Sequence, residues 1–218
     1  MTPAVHPLAG VVASFARLIS GVQVRWVGCA PEPRQRIYFA NHTSHLDFVV
    51  LWSALPAGLR AITRPVAAKD YWEKGARAYI ALRVFHAVLI ERGAAARAEG
   101  LSPAHGAGPA VIDQLAEALG SAYSLILFPE GTRGTGEEVA PFRSGLYHLA
   151  RRRPDVQLVP AYLDNLNRIL PKGEFLPVPL VSSLTFGAPI QFSDEESKAA
   201  FLARAREAVR ALRPGAAG

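Results

Sequence analysis

The sequence predicts a single α/β domain with a largely parallel, mixed sheet flanked by helices and preceded by an N-terminal amphipathic helix. Three observations carry this. Short β-branched, aromatic or aliphatic runs alternate with stretches of helical periodicity along most of the chain. The 218 residues are half apolar, which suffices for one well-buried core and is too short for two full domains. Finally, the residues with chemical potential cluster just after predicted strands, where sheets of this class bind their ligands.

Residues 8–24 carry Leu8, Val11, Val12, Phe15, Leu18 and Ile19, interrupted by Gly10, Arg17 and Gly21. A bilayer span needs about 20 consecutive apolar residues, so this segment is too short and too broken to cross. No positive residue precedes it, which argues against a secretory signal. Its apolar face therefore either packs on the core or lies in a membrane interface with Arg17 at the head groups. On this reading residues 1–24 form an N-terminal amphipathic segment and residues 25–218 the main domain.

Strands are expected over 22–27, 36–39, 61–67, 87–90, 124–128, 157–162 and 182–186. Helices are expected over 44–55, 71–84, 110–119, 144–152 and 194–212. The last of these follows Ser193 and Glu196, a capping-box spacing, and repeats apolar residues at Phe201, Ala205, Ala208 and Leu212. The stretch 93–108 is rich in Ala, Gly and Pro without a period and reads as a loop. Of Trp26, Trp52 and Trp72, at least two are expected to pack rather than to touch an interface.

A net charge of +6 favours anionic partners. No arginine-rich tail, zinc-finger spacing or RNA-binding aromatic signature accompanies it, so no nucleic-acid partner is expected and acidic lipid head groups or phosphorylated substrates remain. The lone Cys29 cannot form an internal disulfide, which fits a cytoplasmic setting.

The segment Asn41-His42-Thr43-Ser44-His45-Leu46-Asp47 follows one predicted strand and opens a helix. Within one helix, residues five apart point about 140° from each other, so His42 and Asp47 meet only if His42 stays outside. Ser44 with Asp47 three residues on has an N-cap spacing that would achieve this. Asp47 would then fix one imidazole nitrogen and leave the other as a general base. The bland alternative is that Asp47 merely complements the helix dipole while His42 satisfies loop backbone. Two other readings are a hydrolase with Ser44 as nucleophile and a metal site of His42, His45 and Asp47. The first lacks a nucleophile elbow and the second lacks supporting ligands.

Three further segments follow predicted strands. In Phe128-Pro129-Glu130-Gly131-Thr132-Arg133, Pro129 and Gly131 suit a turn that presents backbone amides beside Arg133, an arrangement fit for an anion. Glu91-Arg92 offers a second guanidinium, and Lys69 stands after another strand.

Taken together, these blocks resemble the glycerolipid acyltransferases, in particular the lysophosphatidic acid acyltransferases. Asn41 to Asp47 is similar to their His-four-residues-Asp block, and Phe128 to Arg133 matches their Phe-Pro-Glu-Gly-Thr-Arg block at every position. Ile90-Glu91-Arg92, the Pro141 to Gly145 run and Val159-Pro160 are weaker matches. The resemblance implies that His42 is the base, that Asp47 orients it, and that Arg92, Glu130, Gly131 and Arg133 hold the acceptor phosphate, with Thr132 and Lys69 beside them. It further implies an acyl-CoA or acyl carrier protein thioester as donor, a lysophospholipid as acceptor, no metal and no cofactor, and work at the cytoplasmic face of a membrane with anionic lipid. This chain departs from the pattern at Glu91, where the family has Asp, at His86, where it has Gly, in the longer 93–108 loop, and in the unmatched Asp164 to Arg168 stretch.

Overall fold

The computed structural model describes residues 6–44, 46–91, 108–166 and 182–215. Helix α1 (Leu8–Ser20) leads into β1 (Gln23–Trp26) and β2 (Arg36–Ala40). Helices α2 (Asp47–Ala54) and α3 (Ala57–Ile62) follow, then β3 (Thr63–Ala68). Two short helices, α4 (Lys69–Trp72) and α5 (Gly75–Tyr79), and a π-helical turn at Ile80–Val84 precede β4 (Val88–Ile90). The remainder is α6 (Pro109–Leu119), β5 (Ser124–Leu127), α7 (Gly145–Arg152), β6 (Gln157–Asp164), β7 (Ser183–Phe186) and α8 (Lys198–Arg210).

The seven strands form one sheet in the order β1-β7-β6-β2-β5-β3-β4. Neighbours are parallel except β6 and β7, which run antiparallel. This is the expected mixed, mainly parallel sheet, with all seven expected strands in place. Every residue of β2 is buried because helices cover both faces, which is why the strand reads as a continuous apolar run. Its side chains still alternate. Tyr38 and Ala40 join the core under α1 and α2, whereas Ile37 and Phe39 join the core under α6, α7 and α8. Strand β2 is central, so its carboxyl end opens onto the middle of the sheet edge.

The helices differ from expectation at their ends. Helix α2 starts at Asp47 with Leu46 as its cap residue, not at Ser44. The helix expected over 71–84 is broken, since Gly75 takes φ 62 and divides α4 from α5. The final helix starts at Lys198, where the Ser197 side chain accepts from the Ala200 N–H; the proposed cap at Ser193 lies outside it, and Glu196 instead pairs with Arg204. His86, at a position where the family pattern has Gly, adopts φ 50, a conformation that glycine takes at no steric cost. The boundary placed at residue 24 falls within β1, whose Gln23 and Val24 pair with Ser183 and Leu184. The 93–107 part of the expected loop lies outside the described residues, as does Asn167-Arg168.

Helix α1 shows an inverted distribution of size. Its fully buried residues are Ala9, Ala13 and Ser20, small enough to let it lie close against α2, with Val12 half-buried on the same core. Its outer face exposes Leu8, Val11, Phe15 and Leu18, the last at 80%. The placement of Arg17 at lipid head groups does not hold. Its guanidinium donates to the carbonyl oxygens of Ser53 (2.6 Å) and Leu55 (3.2 Å), closing the carboxyl end of α2. Among the described residues, no helix is long and apolar enough to cross a membrane. Of the tryptophans, Trp52 is buried, Trp26 stacks on Phe186 and Trp72 meets the ring of Phe48 edge-on.

Candidate active site

The chain leaves β2 through Asn41, whose buried side chain extends the ladder by one rung. Its amide donates to the Leu163 carbonyl and its oxygen accepts from the Leu163 N–H, both at 2.8 Å. His42 follows, still outside the helix, and α2 begins only at Asp47. The intervening residues curl around the carboxylate. Thr43 and Ser44 donate their backbone N–H groups to Asp47 Oδ2 at 2.6 and 2.9 Å, and His42 Nδ1 approaches the same oxygen at 2.8 Å. The N-cap expectation is thus inverted, since the carboxylate at the helix start gathers the preceding loop. Ser44 is buried and its hydroxyl accepts from the Leu46 N–H, a placement unsuited to a nucleophile.

Asp47 is completely buried and its Oδ2 already accepts from two backbone amides, an arrangement that suits a neutral imidazole with its proton on Nδ1 and Nε2 free to accept. The imidazole lies flat against Phe128, ring centroids 4.4 Å apart and planes inclined by 23°. Asp47 thus orients the ring through Nδ1 and Phe128 sets its plane. His45, the remaining member of the alternative metal set, lies outside the described residues.

The Phe128 to Arg133 block curves over this pair. The Gly131 N–H closes on the Phe128 carbonyl at 3.2 Å, and Gly131 takes φ 77, so the turn forms where expected. Glu130 is placed differently from the expectation of a phosphate contact. Its side chain turns inward, is 2% exposed, and accepts from the backbone N–H groups of His42 (2.7 Å) and Ala140 (2.9 Å). Burial pushes its pKa above the ordinary range, although the two amides act against that shift. Thr132 and Arg133 remain half-buried at the rim, and no hydrogen bond or ion pair joins the Arg133 guanidinium to another described side chain. Lys69 does follow β3, but it is ion-paired at the surface with Glu91 at 2.6 Å. Arg92 lies outside the described residues.

A family model described as Acyltransferase matches residues 23–164, from β1 through the end of β6 and including both motif blocks. The chain belongs to this acyltransferase family. Among curated proteins, it is 29% identical over 191 residues to a 1-acyl-sn-glycerol-3-phosphate acyltransferase of Limnanthes douglasii. It is 28% identical to a protein of the same description from Limnanthes alba. Each alignment takes in 84% of this chain but 60% of the relative, so the chain spans about three fifths of the length of these acyltransferases. Among solved structures, it superposes on the crystal structure of the 1-acyl-sn-glycerophosphate acyltransferase PlsC from Thermotoga maritima with a TM-score of 0.71. That match covers 97% of this chain and 81% of the other at 19% identity, and it establishes the acyltransferase fold.

Proposed function

We propose that the protein moves a fatty acyl group from a thioester, acyl-CoA or acyl carrier protein, to the hydroxyl of a lysophospholipid, with 1-acyl-glycerol-3-phosphate as the acceptor and phosphatidic acid as the product. The observation that carries the reading is the His42–Asp47 pair, a base with its tautomer fixed and no nucleophile of its own. Such a pair suits direct attack by a substrate hydroxyl. The descriptions of the curated relatives support the choice of acceptor.

In this mechanism His42 Nε2 takes the proton of the acceptor hydroxyl as its oxygen attacks the thioester carbonyl. Asp47 stabilises the imidazolium that forms. The tetrahedral intermediate then collapses, the carbon–sulfur bond breaks, and the thiolate takes the proton from His42. Neither a metal nor a cofactor has a part. Arg133 at the rim, with Arg92, holds the acceptor phosphate through charge-assisted hydrogen bonds. The exposed apolar face of α1 lies in the interface of an anionic membrane, on its cytoplasmic side, and brings the site to its lipid.

Purified protein given both thioester types and a panel of lysolipids should yield the diacyl product, read by mass. No acyl transfer to any acceptor would end the proposal, and release of free fatty acid alone would replace it with hydrolysis.

A further inference from the structure

Glu130 stands in the block that suggests phosphate recognition, yet its geometry serves another end. One buried carboxylate bridges two backbone amides from separate segments, His42 at the end of β2 and Ala140 in the loop beyond the turn. The carbonyl of His42 is held by the same loop, accepting from the Gly134 N–H at 2.8 Å. The preceding residue, Asn41, is clamped to Leu163 on the opposite side. Both polar groups of the His42 backbone are therefore engaged by residues 130–140, while Asp47 and Phe128 hold its ring. A carboxylate facing a phosphate would also repel it.

We infer that Glu130 is a positioning residue that fixes the imidazole of His42 through the His42 backbone amide, and that it does not contact the acceptor. The inference rests on the reading of His42 as the general base. Each bond takes one oxygen of the carboxylate, an arrangement that suits its ionised form. Burial opposes that ionisation and the two amides favour it.

The test is Glu130→Gln, which preserves size but leaves a single accepting oxygen for two amides. A displaced base slows the chemical step without weakening substrate binding, and small misplacements of reacting groups cost up to about 100-fold. The expected result is a kcat lowered about 10- to 100-fold with the KM of acceptor and donor within about twofold of wild type. A raised acceptor KM with kcat retained would overturn the inference and return Glu130 to the phosphate site. Wild-type protein that transfers no acyl group would instead defeat the acyl-transfer reading, a distinct outcome. Should the variant not fold, NMR of the wild-type protein gives the answer. The backbone amide protons of His42 and Ala140 should shift together as acid protonates their shared carboxylate. Independent or absent shifts of the two amides would overturn the bridge.

Discussion

Asp47 Oδ2 is shared by the imidazole of His42 and by two backbone amides between them, while Asp47 Oδ1 is buried without a hydrogen-bond partner among the described residues. A single oxygen thus organises both the base and the loop that presents it, and the consequences of removing either partner differ.

His42→Ala should lower acyl transfer by about 10² to 10⁴ and leave the melting temperature nearly unchanged, because the ring makes one hydrogen bond and one stacking contact. Asp47→Asn should lose activity on the order of 10⁴-fold and also lose roughly 1–3 kcal/mol of stability, because the loop amides lose a charged acceptor. Paired activity assays and urea melts test this. Equal stability losses in the two variants would contradict the shared-oxygen arrangement.

Arg133→Ala should raise the acceptor KM by about 10- to 100-fold, corresponding to one lost charge-assisted hydrogen bond. Lys69→Ala should have a smaller effect, since Lys69 is exposed and already paired with Glu91. Steady-state kinetics against a phosphate-bearing lysolipid and a neutral analogue separate them. A KM increase that persists with the neutral analogue would remove Arg133 from the phosphate site.

The buried Glu130 makes a pH-dependent contribution to stability whose sign follows from its raised pKa. As pH increases, the unfolded chain releases this proton first, near the ordinary value of about 4.3, and the folded protein releases it later. The contribution is therefore fully present below the unfolded value and is lost as pH rises through the folded one. Wild type should lose stability relative to Glu130→Gln across that window. Urea unfolding of both proteins from pH 4 to pH 7 reads the difference, and a constant gap would mean that Glu130 titrates alike in the two states.

Replacing Phe15 and Leu18 together by Glu should reduce binding to anionic phospholipid vesicles by about 100-fold or more, as each large apolar side chain contributes roughly 1.5–3 kcal/mol when removed from water. Both side chains are exposed, so the fold should be kept. Flotation with vesicles measures the effect. Unchanged binding, or no binding by the wild type, would remove the outer face of α1 from membrane contact.

The strands were legible in the sequence because a parallel sheet covered on both faces demands short unbroken apolar runs, as in β2 and β5. His42 and Asp47 were legible as a pair because a helix start between them was required for contact, although the start lies at Asp47 and not at Ser44. The break at Gly75 was hidden because the apolar spacing continues across it into the π-helical turn. The inward turn of Glu130 was hidden because residue type and spacing do not reveal which way a carboxylate points. The polar Asn41 directly after a buried strand was the one visible sign of the Leu163 clamp.

Arg17 ties α1 to the helix that carries Asp47. The guanidinium grips the carboxyl end of α2, and Asp47 is the first residue at the opposite end of that helix. One helix thus meets the α1 guanidinium at its carboxyl end and presents at its start the carboxylate that holds the imidazole.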